Sequence, residues 1–299
     1  MTTEDRVILV IGATGLQGGA TAARLLADGW RVRALTRSPS GPAALALARA
    51  GAEVVGGDLD DRASLDAAVR GAYGVFSVQA AGGFTPGFGA GDEVRQGRAV
   101  ADAAQAAGVR HLVYTSVGGA DRGTGIPSWE SKWEIERHIR AIGLPATVLR
   151  PVMFMENPAS RRGGVRPDGT LAHIFAPDRP VQLIAVDDIG VFAALAFADP
   201  GGYLGTSIEL AGDVLTFPEI AAAIGAAIGR VVTYRQLPAE ALLGPGDARV
   251  TGTKKIFNGS APVWQADIAE LRTRHPGLLD FGTWLSVTGK SLIEAHLAG

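Results

Sequence analysis

Three glycines near the start of the chain have a spacing that suits the binding of a nucleotide pyrophosphate. The apolar run Val7–Ile11 is followed by Gly12, Gly15 and Gly18 in the pattern G-x-x-G-x-x-G. Gly12 allows a tight turn, Gly15 lets the backbone approach a pyrophosphate, and Gly18 lets a following helix pack close to the strand. The pyrophosphate would meet free N–H groups at the helix N-terminus, where the helix dipole favours negative charge. The glycines therefore predict a dinucleotide site, provided that they join a strand to a helix.

The residue type at the end of the second predicted strand indicates whether NAD or NADP binds. Folds that bind NAD place an acidic residue there for the ribose 2′-hydroxyl, whereas an arginine suits the 2′-phosphate of NADP. This chain reads Leu35-Thr36-Arg37-Ser38 at that point, without an acid. Arg37 can hold a phosphate as a bidentate fork, and the two neighbouring hydroxyls can add hydrogen bonds. We therefore expect NADP(H) as the cofactor; the alternative is that Arg37 is a solvated arginine at a strand end.

A lysine lies where short-chain dehydrogenases end their Tyr-x-x-x-Lys motif, but the tyrosine is missing. The segment reads Ser128-Trp129-Glu130-Ser131-Lys132. Serine is too weak an acid to replace a phenol, so Ser128 is expected to cap the helix N-terminus. Three roles are open for Lys132. It binds the cofactor ribose, or it donates a proton itself as in isoflavone-reductase-like enzymes, or it only pairs with Glu136 one turn later. Ribose binding is favoured among the three. Ser116, at the end of the fifth strand, is a further catalytic candidate.

The composition argues against several other kinds of chemistry. The 299 residues include no cysteine, which excludes disulfides, thiolate catalysis and cysteine-ligated metals. The five histidines are scattered without the spacing of metal ligands, so no metal is expected. A formal net charge of -2 gives no positive field for nucleic acid or a membrane surface. Because neither a signal peptide nor a membrane span is recognisable, we expect a cytoplasmic protein.

Strands and helices alternate through the first half of the chain. The expected strands are short β-branched runs: Val7–Ile11, Arg31–Leu35, Glu53–Val55, Gly74–Val78, His111–Tyr114 and Ala146–Leu149. The expected helices lie between them, and glycine follows most of them: Leu16–Ala27, Pro42–Ala50, Ala63–Val69, Asp92–Ala107 and Trp129–Ile142. This alternation predicts a doubly wound α/β fold of the Rossmann type, with a parallel sheet covered on both faces. It also supplies the strand and helix that the glycine pattern requires.

The second half of the chain predicts a smaller, mixed lobe. We expect helices at Asp187–Phe197 and Phe217–Ile228, short strands at Ser207–Leu210 and Val231–Tyr234, and further helices over roughly the last sixty residues.

The predicted boundaries are 1–155 for the NADP-binding domain, with 184–199 packed onto it, and 156–299 for a partly interleaved substrate lobe. A small-molecule substrate is expected in the cleft between the lobes.

The loop 80–92 is rich in glycine and carries two phenylalanines. It is either a lid over an apolar substrate or a disordered connection.

Short motifs follow one another along the first half of the chain in an order typical of one family. They are GATGLQGG at 12–19, LTR at 35–37, GAEVVGGDLDD at 51–61, GAYGVF at 71–76, EVRQG at 93–97, VYTS at 113–116, RP at 150–151 and FMEN at 154–157. Together they resemble the NmrA-like family, an atypical branch of the short-chain dehydrogenase superfamily. Beyond this half only Val186-Asp187-Asp188-Ile189-Gly190 is familiar.

The resemblance implies a fuller cofactor site, position by position. The pyrophosphate would be lined by Gly12, Ala13, Thr14, Gly15, Leu16 and Gln17, with Gly18 packed behind them. Arg37 would bind the 2′-phosphate. Asp58 and Leu59 would flank the adenine, and Gln79 would approach the ribose. Arg95 would reach a phosphate, unless it is a solvated helix residue. The nicotinamide would be flanked by Lys132, Phe154, Met155, Glu156 and Asn157.

The resemblance also implies two functions, because the family includes a nitrogen regulator, an NADPH sensor and quinone reductases. The first is an NADPH-dependent reductase of a small apolar or aromatic acceptor, such as a quinone or an enone. Quinone reduction makes the least demand on a protein acid, which suits the missing tyrosine. The second is a non-catalytic NADP(H)-responsive sensor that controls a partner protein. Nucleic acid is not expected as a partner, and a homodimer is left open.

Overall fold

The structure is a computed structural model that describes residues 6–80, 87–160, 163–243, 254, 256–259 and 261–299. Residues 81–86 of the predicted lid, the loop 80–92, therefore lie outside the described residues. The chain divides into two compact units: Met1–Asp121 with Pro127–Arg150 and Val186–Ile208, and Arg122–Ile126 with Pro151–Ala185 and Glu209–Gly299. Within the described ranges, no helix is long and apolar enough to cross a membrane.

Most of a seven-stranded sheet belongs to the first unit. Its strands are β1 (Val7–Val10), β2 (Arg31–Thr36), β3 (Glu53–Gly56), β4 (Gly74–Ser77), β5 (His111–Thr115), β6 (Ala146–Pro151) and β10 (Ser207–Leu210). They lie in the order β10-β6-β5-β4-β1-β2-β3, and β1 to β6 pair in parallel. The predicted doubly wound α/β fold is confirmed. The strand order reverses between β1 and β4, and such sheets bind ligands outside the carboxyl ends of the strands at that point.

Helices fill the connections of the first unit. They are α1 (Leu16–Ala27), α2 (Pro42–Arg49), α3 (Arg62–Val69), α4 (Ala90–Ala106), α5 (Pro127–Ala141), α6 (Val186–Ala198) and α7 (Pro200–Tyr203). A core that includes Leu65, Val100 and Ile135 packs α3, α4 and α5 against the sheet. Elsewhere α1 and α6 come so close that a Cβ on Gly190 would lie 2.8 Å from the backbone of Ala20. Small residues at this crossing therefore set the distance between the two helices.

The second unit contains two small sheets. One has the order β11 (Asp213–Leu215), β9 (Val181–Ile184) and β7 (Met153–Phe154), and the other pairs β12 (Thr233–Gln236) with β8 (Thr170–His173). Its helices are α8 (Phe217–Ile228), α9 (Glu240–Leu243), α10 (Ile268–Arg274), α11 (Phe281–Trp284) and α12 (Lys290–Ala298).

The predicted strand Val231–Tyr234 begins two residues too early. Gly229, with a φ of +67°, ends α8 in the left-handed conformation. The N–H of Arg230 still bonds back to the carbonyl of Gly225, so the chain is committed to the helix cap there. Pairing with β8 starts only at Thr233.

Stacked aromatic rings form part of the core of the second unit. The ring of His173 lies 4.6 Å from that of Phe217 and 5.0 Å from that of Phe175. Tyr234 continues the stack at 5.0 Å from Phe217, and its hydroxyl donates to the carbonyl of Phe175. Burial lowers the pKa of His173 to about 4, so this ring is neutral near pH 7 and packs as an aromatic side chain.

Candidate cofactor site

The glycine turn forms a tight loop between β1 and α1. Gly12 has a φ of +70°, in the left-handed region where other residues are strained. The N–H of Gly15 donates to the carbonyl of Gly12 at 2.9 Å, and α1 begins at the next residue, Leu16. A Cβ on Gly18 would lie 2.2 Å from the carbonyl oxygen of Gly12. The turn thus requires glycine at position 12 for its conformation and at position 18 for close packing of the helix.

The same turn leaves the N-terminus of α1 open to a ligand. The first N–H groups of a helix have no partner within it, and they carry the positive end of the helix dipole. Thr14 and Leu16 are exposed around these groups, whereas Ala13 is buried beneath them. An absent Cβ, free N–H donors and a favourable dipole together fit a pyrophosphate.

Two arginines at the end of β2 have different roles. Arg33 is held within the unit, because its guanidinium donates to Glu53 at 3.0 Å and to the carbonyls of Ala68 and Arg70 at 2.8 and 2.9 Å. Arg37 is exposed and has neither a hydrogen bond nor an ion pair with the part of the chain that is described. At the carboxyl end of β2, Arg37 is therefore the arginine that is available to a phosphate.

A buried glutamine follows β4, on the other side of the point where the strand order reverses. Gln79 is 5% exposed, and its amide nitrogen donates to the hydroxyl of Ser77 at 2.9 Å. Its amide oxygen is buried and accepts no hydrogen bond from the described residues. A buried acceptor without a donor is unfavourable, so this oxygen suits a ligand that brings a hydroxyl or N–H group.

The loop after β3 is tied to α4 by charge. Asp58 is half-buried and accepts the N–H of Asp60 at 3.0 Å, and Leu59 packs against the core beside it. The guanidinium of Arg95 lies 2.8 Å from the carboxylate of Asp60 and 2.6 Å from that of Asp92. Arg95 therefore bridges two carboxylates across the surface, and it would have to leave them in order to bind a phosphate.

The end of β5 connects the glycine turn to α5. The hydroxyl of Thr115 donates to the side-chain oxygen of Gln17 at 2.7 Å. The next residue, Ser116, is buried, and its hydroxyl donates to Glu136 at 2.6 Å. Because Gln17 lies at the start of α1, directly after the glycine turn, and Glu136 lies in α5, these two bonds bring both helices to the carboxyl end of β5. Thr115 was not among the expected site residues.

Glu136 is the centre of a buried network of charges. Its carboxylate accepts two hydrogen bonds from Arg150, at 2.7 and 3.0 Å, and one from Arg140 at 2.8 Å. Arg150 also donates to Asp121 at 2.7 Å. Burial opposes the charge of Arg150, but the hydrogen bonds and charges of Glu136 and Asp121 hold its pKa above the usual value. The alternative in which Lys132 only pairs with Glu136 is therefore wrong, because two arginines and Ser116 occupy this carboxylate.

Lys132 pairs instead with Glu93 of α4. Its ammonium group donates to one carboxylate oxygen of Glu93, and the hydroxyl of Ser131 donates to the other at 2.7 Å. The side chain of Glu93 is fully buried and that of Lys132 is 11% exposed. Sequence reasoning missed Glu93; the only signal was an acidic residue on the face of α4 that bears Gly97 and Val100.

The position of the missing tyrosine lies inside α5. The helix begins at Pro127, which suits the first helical position because proline has no N–H to satisfy. Ser128 is therefore within the first turn, and its expected role as the helix cap is wrong. Tyr114 is the tyrosine of β5, but burial and the charges of Glu93 and Glu136 raise its pKa well above the usual value. It does not replace the missing acid.

The expected nicotinamide segment belongs to the second unit. Phe154 ends β7, and Met155 is buried with its N–H bonded to the carbonyl of Ile184. The carboxylate of Glu156 accepts the indole N–H of Trp284 at 3.1 Å, and Asn157 begins a short 3-10 turn.

Among the residues that the structure describes, no three or more His, Asp or Glu side chains form a group that could hold a metal ion.

Comparison with known proteins decides the family. A sequence model of the NmrA-like family matches residues 4–253 of the 299. The chain belongs to the NmrA-like family. The resemblance seen in the motifs is therefore confirmed, and it extends beyond the first half of the chain.

The relatives of this chain include an enzyme and a regulator. A (4-alkanoyl-5-oxo-2,5-dihydrofuran-3-yl)methyl phosphate reductase of Streptomyces griseus subsp. griseus is 35% identical over 241 residues, 79% of this chain and 78% of the relative. The crystal structure of NmrA, a negative transcriptional regulator in complex with NADP, is 26% identical and covers 98% of both chains with a TM-score of 0.80. NmrA has also been solved with NAD.

A third relative of this NmrA-like chain is an NADPH-dependent quinone oxidoreductase from Escherichia coli. It is 25% identical and covers 98% of this chain and 99% of its own, with a TM-score of 0.64. The prediction of NADP(H) agrees with the cofactors in the names of these structures. The relatives of this chain thus include proteins named as reductases as well as a regulator.

Proposed function

We propose that this protein is an NADPH-dependent reductase that transfers a hydride to a small conjugated acceptor, such as a quinone or an enone. The main support is the arrangement at one edge of the sheet. The glycine turn follows β1, the free Arg37 follows β2, and Thr115 at the end of β5 bonds to Gln17 at the start of α1. The carboxyl ends of parallel strands lie at the same edge of a sheet, so these groups can contact one dinucleotide bound there.

Each residue of this edge has a binding role in the proposal. The glycine turn holds the pyrophosphate, and Arg37 holds the 2′-phosphate as a charge-assisted fork. The free amide oxygen of Gln79 accepts a ribose hydroxyl. Asp58 and Leu59 lie at the end of β3, where the family resemblance assigns the adenine. When NADPH is bound, it supplies the hydride from C4 of its dihydronicotinamide ring.

The nicotinamide assignment of Phe154–Asn157 comes from the family resemblance and stays a prediction. Arg95 is not needed for the proposed site, since it is paired with Asp60 and Asp92.

The missing tyrosine favours an acceptor that needs no strong protein acid. Hydride addition to an enone or a quinone gives an anion that conjugation stabilises, and solvent can then protonate it. Two relatives are named as reductases of such molecules. One acts on a 5-oxo-2,5-dihydrofuran with an alkanoyl group, whose ring alkene is conjugated to carbonyls, and the other acts on quinones. Their names support the acceptor class, while the substrate of this chain is part of the proposal.

A regulatory function is the second candidate. Ser128 at the position of the usual tyrosine favours it, and NmrA is named as a negative transcriptional regulator. In that case the same edge of the sheet binds NADP(H), and the nucleotide controls the affinity for a partner protein.

Oxidation of NADPH at 340 nm, measured against a panel of quinones, enones, azo dyes and aldehydes, separates the two candidates. The reductase proposal predicts turnover with quinones or enones and much slower turnover with aldehydes. The absence of turnover with every acceptor, together with NADPH binding, would contradict the reductase and favour the regulator.

A further inference from the structure

We propose that Glu93 positions Lys132 and holds it as a charged hydrogen-bond donor to the cofactor, so that Lys132 is not the source of the proton. This inference rests on the proposed function and deepens it, because it chooses between two roles of Lys132. Glu93 is not a member of any site that the sequence predicts.

The first step of the argument is the burial of the carboxylate. The side chain of Glu93 has no exposed surface, and it lies near the beginning of α4. One of its oxygens accepts the ammonium of Lys132, and the other accepts the hydroxyl of Ser131. Both donors come from consecutive residues of α5. This pairing fixes the end of the Lys132 side chain relative to two helices.

The second step is electrostatic. An ionised carboxylate removed from water is strongly unfavourable unless a cation and hydrogen bonds compensate it. Lys132 is the cation that compensates Glu93. If the ammonium gave its proton to a substrate, the buried carboxylate would lose that compensation during the reaction. A lysine in this pair is therefore suited to donating hydrogen bonds through its remaining N–H groups, not to giving a proton away.

The third step places Lys132 beside the cofactor site. Residues four apart share one face of a helix, and Lys132 and Glu136 are both buried on α5. Glu136 accepts a hydrogen bond from the hydroxyl of Ser116, whose neighbour Thr115 bonds to Gln17, directly after the glycine turn. This face of α5 thus meets the end of β5 next to the turn. A ribose hydroxyl bound there is a fitting acceptor for the ammonium.

The test compares E93Q, K132Q and the double variant E93Q/K132Q with a matched control. The control is E134Q. Arg98 and Glu134 form an ion pair at 2.8 Å between the same two helices, and both side chains are about half exposed. E134Q therefore removes a carboxylate that also links α4 to α5 but has no role in the proposal. Two quantities are measured in each protein. One is the Kd of NADPH from its fluorescence, and the other is kcat at saturating NADPH with an active acceptor.

We expect E93Q and K132Q each to raise the Kd of NADPH about 10-fold, which corresponds to one or two lost hydrogen bonds to a charged group. The double variant should raise it no further, because both changes remove the same interaction. At saturating NADPH, kcat should fall to a similar extent in E93Q and K132Q, because both variants misplace the same ribose, and E134Q should leave both quantities unchanged. A fall of kcat by about 100-fold in K132Q but not in E93Q, with an unchanged Kd in both, would overturn the proposal, because it would identify Lys132 as the proton donor.

A second readout needs neither cofactor nor turnover. The rate at which acetic anhydride acetylates Lys132 is followed by peptide mass spectrometry in the protein without NADPH. We expect about a 10-fold faster rate in E93Q than in the wild type or E134Q, because the ammonium loses its buried partner. Equal rates in E93Q and the wild type would overturn the positioning role. If no acceptor is reduced, the proposed function fails, but the labelling rate still decides whether Glu93 holds Lys132.

The variants K132Q and E93Q each leave one buried charge without its partner and are at risk of failing to fold. The double variant replaces both charges by amides and avoids this risk. If only the double variant folds, it must still bind NADPH about 10-fold more weakly than the wild type. A double variant that binds NADPH like the wild type would contradict the proposal.

Discussion

The hydroxyl of Ser116 lies 2.6 Å from a carboxylate oxygen of Glu136 and donates a hydrogen bond to it. Both side chains are buried, and the same carboxylate receives two bonds from Arg150. The Ser116 hydroxyl therefore belongs to a network that joins β5, α5 and β6. A hydroxyl held in this way stabilises the fold, and we infer that Ser116, although a catalytic candidate from the sequence, does not exchange protons with a substrate.

The variant S116A tests this assignment. Removal of a hydrogen bond to a buried charge should lower the free energy of unfolding by about 1–3 kcal/mol, measured by urea denaturation. The kcat for NADPH oxidation should change less than about twofold. As a control, S286A removes an exposed hydroxyl that bonds only to the carbonyl of Thr283, and its effect should stay within about 0.5 kcal/mol. A large loss of kcat in S116A with unchanged stability would show that Ser116 is catalytic.

Arg37 is expected to decide the preference for NADP(H). R37A should weaken binding of NADPH by about 10- to 100-fold, because charge-assisted bonds to the 2′-phosphate are lost, and should leave the Kd of NADH nearly unchanged. Isothermal titration gives both constants. R31A is the matched control, since Arg31 is an exposed arginine at the opposite end of the same strand. Equal losses for NADPH and NADH, or none for either, would contradict the role of Arg37.

Gly18 is expected to tolerate no side chain. The methyl group of G18A would lie 2.2 Å from the carbonyl oxygen of Gly12, so the helix must move away from the turn. We expect a loss of about 2–4 kcal/mol in the free energy of unfolding and NADPH binding weakened at least about 10-fold. In G91A the new methyl group meets nothing within 4 Å, so this exposed helix glycine is the control. Wild-type affinity in G18A would show that the turn does not hold the pyrophosphate.

Two buried histidines should make the protein sensitive to mild acid. Burial lowers the pKa of His111 and of His173 from 6.5 to about 4. Between these values the unfolded chain binds more protons than the folded one, so stability falls as the pH drops from about 6.5 towards 4. Each histidine contributes up to roughly 3 kcal/mol to this fall.

Urea denaturation between pH 5 and 7 measures this slope, and H173Q removes one of the two groups. We expect a shallower dependence of the unfolding free energy on pH in H173Q than in the wild type. Identical slopes in the two proteins would show that His173 takes up its proton equally well in the folded state.

Most of the first unit could be predicted because its signals are local. The apolar runs at Val7–Val10 and His111–Thr115, with glycine after the helices, indicate strands, helices and their order without reference to distant contacts. The glycine turn is predicted for the same reason, since its φ and its close packing concern neighbouring residues. In the second unit the strands are short, and the start of β12 depends on its pairing with β8, so the boundary was missed.

The partners of charged side chains could not be predicted from spacing. Lys132 and Glu136 have the helical spacing of an ion pair, but Lys132 pairs with Glu93, which is 39 residues away in the sequence. Which carboxylate pairs with Lys132 depends on the packing of α4 on α5 and on the arginines that surround Glu136. Likewise, only the structure separates Arg33, which is held by Glu53, from Arg37, which is free to bind a ligand.

Hydride transfer is followed most directly with NADPH that carries deuterium at C4. The protein is incubated with either diastereomer of [4-²H]NADPH and an enone, and the product is examined by mass spectrometry and NMR. We predict that one diastereomer, and not the other, delivers a single deuterium to the β-carbon of the enone, while solvent supplies the hydrogen at the α-carbon. A reduced product without deuterium from either diastereomer, or no reduction of any enone or quinone by a protein that binds NADPH, would contradict the proposed reductase.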